Sequence, residues 1–236
     1  DAAGMSLYDP ARAREALAEV FSVQRNDGAG IRAWKPYWDK MEYSDGPYWL
    51  TLMTAAYLRE TGDFAFLQEQ LPFMDGPPAS VWEHMNRGLD YLYNDRNARG
   101  LVRLRFADWN DGLDGPGKGG EGDSVMVTMS LVGALRELES IAAAAGLKPT
   151  FDPQPRIAEL CSAIERHTWT GDYYIGGYAD DGRPYFAPTE TYGKIYINSQ
   201  AWAILCDVAP RERWDALIDV TTRHLNHPYG FRLFYP

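Results

Sequence analysis

A short segment near the middle of the chain, residues 105–113, carries the side chains best suited to chemistry. Two carboxylates, an indole and an amide stand together as Asp108-Trp109-Asn110-Asp111, and Gly112 follows. A buried helix would not hold this set, because Asp and Asn are poor helix formers and charges are rarely buried. A surface turn would use Asp, Asn and Gly but seldom a tryptophan. A sugar-binding cleft needs both an aromatic ring and carboxyl groups, so we predict an active-site loop here.

The overall composition argues against several classes of protein. With 23 basic and 33 acidic residues, the formal charge of −10 disfavours nucleic acid as a partner, because its phosphates would be repelled. No apolar run reaches membrane-spanning length and no signal peptide opens the chain, so we expect a cytoplasmic protein with no membrane partner. The 8 tryptophans and 15 tyrosines favour stacking surfaces or an aromatic-rich helical core.

Neither the cysteines, the histidines nor the glycine-rich run predicts a ligand site. Cys161 and Cys206 fall in helical patterns, which favours buried free thiols over a disulfide and, weakly, a reducing compartment. The 4 histidines have no metal-ligand spacing, so we predict no metal. The run from Gly115 to Gly120 lacks the Gly-Lys-Ser/Thr ending of a nucleotide-binding loop, and we predict a flexible connection there.

Helical periodicity dominates the rest of the chain and predicts about eight helices joined by short and long loops. The only good hairpin signal is 173–186, where an Asp180-Asp181-Gly182 turn separates two extended runs. The long loop 25–47 is rich in aromatic and charged residues, which is typical of a cleft wall or, alternatively, of a packed Ω-loop. The predicted helices are 11–24, 48–61, 64–71, 79–94, 123–145, 153–167, 200–208 and 211–225.

A series of short motifs in a fixed order makes the interpretation specific. The motifs are Asp9-Pro10-Ala11-Arg12-Ala13-Arg14-Glu15, Trp49-Leu50, Glu60-Thr61-Gly62-Asp63, Trp82-Glu83-His84, Ala107-Asp108-Trp109-Asn110-Asp111-Gly112-Leu113, Gly122-Asp123-Ser124-Val125-Met126, Asp180-Asp181-Gly182-Arg183-Pro184 and Gly193-Lys194-Ile195-Tyr196-Ile197-Asn198-Ser199-Gln200-Ala201-Trp202-Ala203. The ordered set resembles glycoside hydrolase family 94, which contains cellobiose, cellodextrin and chitobiose phosphorylases and relatives acting on other β-linked oligosaccharides. Each motif alone is weak, but the ordered set is strong and the resemblance extends over 9–236.

This resemblance implies a fold. Family members have an N-terminal β-sandwich, a helical linker and an (α/α)6 barrel whose centre holds the active site. We therefore expect a mainly all-α chain, an (α/α)6 toroid that is incomplete here, with one small β-hairpin. In these terms 1–236 is a single domain from the middle of the catalytic barrel. The sandwich and the last barrel helices, which help to bind phosphate, would lie outside it.

The resemblance also implies a mechanism. Asp111 matches the general acid, which protonates the glycosidic oxygen while inorganic phosphate attacks the anomeric carbon from the opposite face. A β-link then becomes an α-sugar 1-phosphate, and no second carboxylate is needed because phosphate arrives already anionic. To hold its proton near neutral pH, Asp111 needs a raised pKa, which burial beside Trp109 and Asp108 would favour. Trp109 would be the sugar platform, while Asp108 either contacts a sugar hydroxyl or shapes the loop through an Asx-turn.

Other candidate substrate-binding residues follow from the same resemblance. Many members have Asn/Ser-Asp-Asp where this chain has Ser44-Asp45-Gly46, so only Asp45 carries over and one donor-sugar contact is lost. Asp123 replaces the usual glutamate, which keeps the charge but shortens its reach. Both departures leave the donor and acceptor sugars open. The remaining candidates are Lys194, which is alternatively a solvated strand residue, Gln200 and Glu190.

Two other functions remain open at the level of sequence. An inverting hydrolase on the same barrel would need a base across the sugar ring, with Asp45, Glu42 or Glu190 as candidates and carboxyl groups roughly 6.5–9.5 Å apart. A helical carbohydrate-binding or scaffolding segment without chemistry is the third alternative. For the phosphorylase, we expect a β-linked oligosaccharide and phosphate as partners, no cofactor, no nucleic acid, and a homodimer as the candidate assembly.

Overall fold

A computed structural model describes residues 2–36, 39, 41–110 and 112–236 of the chain. Tyr37, Trp38 and Lys40 of the long loop, and the predicted acid Asp111, lie outside these described residues. Within the described part, helices dominate and strands form only short antiparallel pairs, which confirms the prediction of a mainly α-helical chain. The chain divides into two compact units, Asp1–Asn94 with Ala134–Pro153, and Asp95–Gly133 with Gln154–Pro236. The expectation of a single domain over 1–236 stays a prediction.

The first unit consists mainly of helices, and two of their ends lie at residue types expected of caps. Asp9 caps the second helix, because its carboxylate accepts the Arg12 N–H at 3.1 Å. The third helix ends at Gly62, whose φ of 67° lies in the left-handed region that glycine adopts readily. The elements are α1 (Ala2–Met5), α2 (Pro10–Ser22), α3 (Gly46–Thr61), a 3-10 helix (Phe64–Gln68), β1 (Gln70–Phe73), β2 (Gly76–Ser80) and α4 (Val81–Asn94).

The β1–β2 hairpin corrects the sequence prediction, which placed a helix over 64–71 and began the next at residue 79. The observed 3-10 helix stops at Gln68, and an antiparallel pair follows before α4. Pro72, Pro77 and Pro78 lie in these strands, and proline argues against a strand because it cannot donate to a ladder. A two-stranded pair has only edges, so prolines are tolerated there.

The second unit contains the other helices and the predicted hairpin. The hairpin forms as expected, with Gly177 opposite Tyr185 and Tyr178 opposite Pro184. The elements of the second unit are the first part of α5 (Val125–Ala145), α6 (Pro153–Thr168), β3 (Gly177–Tyr178), β4 (Pro184–Tyr185), β5 (Ile195–Tyr196), α7 (Ile197–Leu205), a 3-10 helix (Arg211–Arg213), α8 (Trp214–Leu225), β6 (Asn226–His227), β7 (Gly230–Phe231) and β8 (Phe234–Tyr235). None of the described helices combines the length and apolarity needed to cross a lipid bilayer.

Helices α5 and α7 approach each other closely at Gly133. A Cβ atom at this position would lie 2.5 Å from the Sγ atom of Cys206, so a residue larger than glycine does not fit without a shift. Cys206 is buried, with 5% of its surface exposed, whereas Cys161 on α6 is only partly buried, and neither thiol is in a disulfide. The contact fixes α5, whose N-terminal end carries the candidate site, against the helix that follows β5.

Candidate active site

The carboxylate of Asp108 is buried and holds the candidate loop in shape. Its residue is only 1% exposed. Oδ1 accepts the backbone N–H of Asn110 at 2.8 Å, which is the Asx-turn geometry, and Oδ2 accepts the hydroxyl of Ser124 at 2.7 Å. These contacts support the second of the two roles weighed for Asp108, that of shaping the loop.

Ser124 links this loop to α5. Its hydroxyl donates to Asp108 and also accepts the N–H of Val127 at 3.2 Å, so one side chain caps the helix and fixes the loop. The N-terminal end of α5 therefore lies beside a carboxylate, an arrangement that the helix dipole favours. Sequence reasoning quoted Ser124 within a motif but gave it no role. The Asp-Ser pair just before a long apolar helix was a capping signal that could have revealed it.

Trp109, in contrast to its neighbour, is turned outward, with 57% of its surface exposed. The chain then bends tightly, because the Asn110 side chain accepts the Gly112 N–H at 3.2 Å and its carbonyl accepts the Leu113 N–H at 2.9 Å. An exposed indole can offer its face to the apolar side of a sugar ring, and the buried Asp108 fixes the loop that carries it. Asp111, the predicted acid, lies outside the described residues.

The loop begins at a backbone position that a side chain rarely adopts. Arg105 has a φ of +61°, in the left-handed region. Its guanidinium forms a two-point pair with the carboxylate of Asp95, one contact being Nε to Oδ2 at 2.8 Å. Such a bidentate pair supplies the geometric specificity that a strained entry into the loop requires.

Two buried tyrosines lie close enough to Asp108 for its charge to raise their pKa values. Burial raises the pKa of Tyr185 well above its ordinary value and the charge of Asp108 adds to this, and the same two causes raise the pKa of Tyr196. The Tyr185 hydroxyl donates to the carbonyl of Asp123 at 2.7 Å, and the Asn198 amide donates to the Tyr196 hydroxyl at 2.6 Å. Sequence reasoning missed these residues, because nothing in their spacing separates them from core aromatics.

Asp123 is fully buried and its carboxylate is engaged within the protein. Oδ2 accepts Asn97 Nδ2 at 2.8 Å and Arg99 Nη1 at 3.2 Å, while Oδ1 accepts the Tyr178 N–H at 2.9 Å. Burial raises the pKa of Asp123 to about 6, although the bonds to Asn97, Tyr178 and Arg99 oppose this shift. The carboxylate thus joins the hairpin to the start of α5, and the contacts support a structural role. A sugar contact by Asp123 stays a prediction.

The other three candidates of the second unit have different surroundings. The Gln200 amide accepts the Tyr174 N–H at 2.9 Å and donates to the carbonyls of Tyr174 and Tyr196, so it bonds to backbone and is 2% exposed. Lys194 is exposed and directly precedes β5, and its backbone N–H donates to the Tyr235 carbonyl at 2.8 Å. Glu190 lies 3.4 Å from Arg183 of the hairpin. Substrate contacts by these residues stay predictions.

Asp45 belongs to the first unit, where it precedes α3 and is 7% exposed. The residue after it, Gly46, packs against Gly30: a Cβ atom at Gly46 would lie 3.0 Å from the Gly30 Cα atom. This close approach leaves little room for a larger residue at position 46 and gives a physical reason for the missing second carboxylate. Among the described residues, no three His, Cys, Asp or Glu side chains are grouped to hold a metal ion.

The whole chain, residues 1–236, matches the family described as the glycosyl hydrolase 94 superfamily, catalytic domain. The chain belongs to this family. It is 39% identical over 235 residues to a solabiose phosphorylase of Paenibacillus borealis, covering 98% of this chain and 30% of that protein. It is 33% identical over 245 residues to a 3-O-beta-D-glucopyranosyl-beta-D-glucuronide phosphorylase of the same organism, covering 100% of this chain and 32% of that protein. The chain thus spans about a third of the length of these relatives.

Similarity to solved structures bears on the fold alone. A GH63 mannosylglycerate hydrolase of Thermus thermophilus, in complex with glucose, matches with a TM-score of 0.66 and 14% identity. The match covers 94% of this chain and 66% of that one. The prediction of an (α/α)6-type helical fold class is confirmed by this likeness to a helical glycosidase.

Proposed function

We propose that this chain carries the acid side of the active site of an inverting glycoside phosphorylase acting on short β-linked glucosaccharides. The observation that carries the proposal is the pairing of exposed Trp109 with buried Asp108 on one fixed loop. Membership of this family and similarity to the two phosphorylases of Paenibacillus borealis support the reaction class.

In the proposed reaction, one bond forms as another breaks at the anomeric carbon. A phosphate oxygen attacks from the face opposite the leaving sugar, and the electrons of the glycosidic bond pass to the leaving oxygen. Asp111 donates its proton to that oxygen, so the products are an α-sugar 1-phosphate and a free sugar. Asp111 then regains a proton from solvent. Phosphate enters as a co-substrate, and no cofactor is required.

The described residues have supporting roles in this scheme. Trp109 offers its exposed face to the apolar side of a sugar ring. Asp108 and Ser124 fix the turn on both sides of the indole, so the loop is arranged before the substrate arrives. Such pre-arrangement raises the reaction rate, because a misplacement of a catalytic group by about 1 Å can reduce the rate by ~100-fold.

The direct test is phosphorolysis by the complete protein. A panel of β-linked glucose disaccharides is incubated with inorganic phosphate, and the products are followed by phosphorus NMR. We expect an α-sugar 1-phosphate to accumulate. Release of free sugar at the same rate with and without phosphate would overturn the proposal and favour the hydrolase.

The assignment of Asp111 as the general acid is tested by substitution. We expect Asp111→Asn to reduce kcat by at least ~100-fold, because general acid catalysis contributes about that much. Asp114→Asn is the matched control: Asp114 is an exposed carboxylate paired with Lys118 at 3.2 Å, and such pairs contribute little. Full activity in Asp111→Asn would exclude this residue as the acid.

A further inference from the structure

The glycine-rich run that the sequence predicted as a flexible connection is a closed turn fastened by one carboxylate. Asp180, in the turn of the β3–β4 hairpin, accepts three backbone N–H groups from this run. Gly119 donates to Oδ2 at 2.6 Å, and Glu121 and Gly122 both donate to Oδ1 at 2.9 Å. The N–H of Asp180 in turn donates to the carbonyl of Pro116 at 2.8 Å. One residue therefore holds both ends of the turn.

The converging N–H groups explain why the turn needs a carboxylate. Successive backbone N–H groups that point into one concavity form an anion-binding nest. Here the anion is part of the chain itself, so no phosphate is needed to close the turn. A Cβ atom at Gly119 would lie 2.9 Å from Asp180 Cγ, which explains the glycine at the point of closest approach.

The same turn lies against the entry of the loop that carries Trp109. The Gly122 carbonyl accepts the Leu104 N–H at 2.9 Å. A Cβ atom at Gly117 would lie 2.7 Å from the Arg105 carbonyl oxygen, so these backbones are in direct contact. Lys118 Nζ lies 5.1 Å above the ring centre of Phe106. The glycine-rich turn, which is the return half of this loop, therefore packs against residues 104–106 at the loop's entry.

We infer that Asp180 is a positioning residue for the loop that carries Trp109 and Asp111. The carboxylate closes the return half of the loop, and that half supports residues 104–106 at the entry. The inference rests on the proposed function, because it assigns Asp180 a part in placing the proposed acid. Asp180 itself contacts no substrate in this scheme.

Asparagine at position 180 would undo the closure with almost no change in size. Its side chain has a single acceptor oxygen, and its NH2 group would face N–H donors of the nest. Asp181→Asn is the matched control, since the next carboxylate accepts the N–H of Arg183 within its own hairpin, at 2.9 Å. The two variants remove the same charge at adjacent exposed positions.

Two substrates separate positioning of the acid from general damage. One is a disaccharide that the wild-type complete protein phosphorolyses, whose leaving sugar needs a proton. The other is the matching 2,4-dinitrophenyl β-glycoside, whose phenolate leaves without one. We expect Asp180→Asn to reduce kcat/KM on the disaccharide by ~10–100-fold, as expected for a misplaced group. The loss on the aryl glycoside should be clearly smaller, because this substrate depends on the Trp109 platform but not on the acid. Equal losses on both substrates, no loss on either, or the same loss in Asp181→Asn would overturn the inference.

Hydrogen exchange tests the same inference independently of turnover. In Asp180→Asn we expect amide protection to fall at Gly119, Glu121 and Gly122 and also within 105–113, while 125–133 in α5 keeps its protection. Unchanged protection over 105–113 would overturn the inference, whatever the activity. If the wild type phosphorolyses no saccharide, the proposed function fails, and the exchange comparison still decides whether Asp180 positions the loop.

Discussion

Asp123 and Asp180 lie in the same unit, and each carboxylate accepts three hydrogen bonds, yet their pKa values move in opposite directions. Burial raises the pKa of Asp123 to about 6 against the effect of its three donors. Burial also acts on Asp180, but this residue is largely exposed, and its three backbone N–H bonds lower the pKa overall. The number of donors does not decide the outcome; the loss of water around the charge does.

The largest effect should come from the titration of Asp123. Its pKa rises from 3.8 to about 6 on folding, so between these values the folded protein keeps a proton that the unfolded chain has lost. Stability therefore falls as pH rises through this window, by on the order of 3 kcal/mol, since each pKa unit corresponds to about 1.4 kcal/mol. Urea unfolding at pH 4 to 7 should show this fall in wild type relative to Asp123→Asn. Parallel curves for the two proteins would contradict the assignment.

Removal of the charged partner of Asp123 should have the next largest effect. Arg99 lies 3.2 Å from Asp123 Oδ2 and is itself 30% exposed. We expect Arg99→Met to cost about 1–2 kcal/mol at pH 7, where Asp123 is ionised, and less at pH 5, where it is largely protonated. Urea unfolding at both pH values measures this. Arg183→Met is the control and should change little, because this arginine is 64% exposed. An equal cost of Arg99→Met at both pH values would speak against the pairing.

Loss of the uncharged hydrogen bond between Tyr185 and the Asp123 carbonyl should reduce stability less, and by the same amount at every pH. Tyr185→Phe removes the hydroxyl that donates to the Asp123 carbonyl at 2.7 Å. A single buried hydrogen bond contributes about 1 kcal/mol. Burial keeps the pKa of Tyr185 well above its ordinary value, so the loss should be constant from pH 5 to 8. Tyr192→Phe, at a 78% exposed site, should be silent, and a loss that varies over this pH range would exclude the simple explanation.

The smallest effect should come from the pH response of Asp180. Because its pKa is lowered on folding, the ionised carboxylate stabilises the fold above the ordinary pKa, and this contribution is lost as pH falls. The difference in Tm between wild type and Asp180→Asn should therefore narrow from pH 6 to pH 3. A difference that widens would mean that Asp180 and Asp123 respond alike, which would break the comparison.

The sequence predicted the helices well because their signals are local. The Asp9 cap and the Gly62 stop require only neighbouring residues, and both are present in the structure. The β1–β2 hairpin was wrongly assigned because Pro72, Pro77 and Pro78 argue against strands unless both strands are known to be edges. That knowledge comes only from the tertiary structure.

The candidate site was predictable in its residues but not in their division of labour. Asp108-Trp109-Asn110-Asp111 identifies the loop, since few structural uses need that mixture. Whether Asp108 faces sugar or protein depends on Ser124, which lies sixteen positions away in the chain and bonds to it at 2.7 Å. Asp180 lies further still from the turn that it closes, 61 positions from Gly119. Contacts of this kind leave no periodic trace in a sequence.

The close approach at Gly133 has a consequence for chemical reactivity. Cys206 Sγ has no space on its α5 side, so a thiol reagent or an oxidant can add atoms to it only after α5 and α7 separate. The rate at which Cys206 is alkylated therefore reports how often these helices part. Cys161 is more accessible and supplies an internal reference in the same molecule. The ratio of the alkylation rates of Cys206 and Cys161 therefore measures how often α5 and α7 separate at this contact.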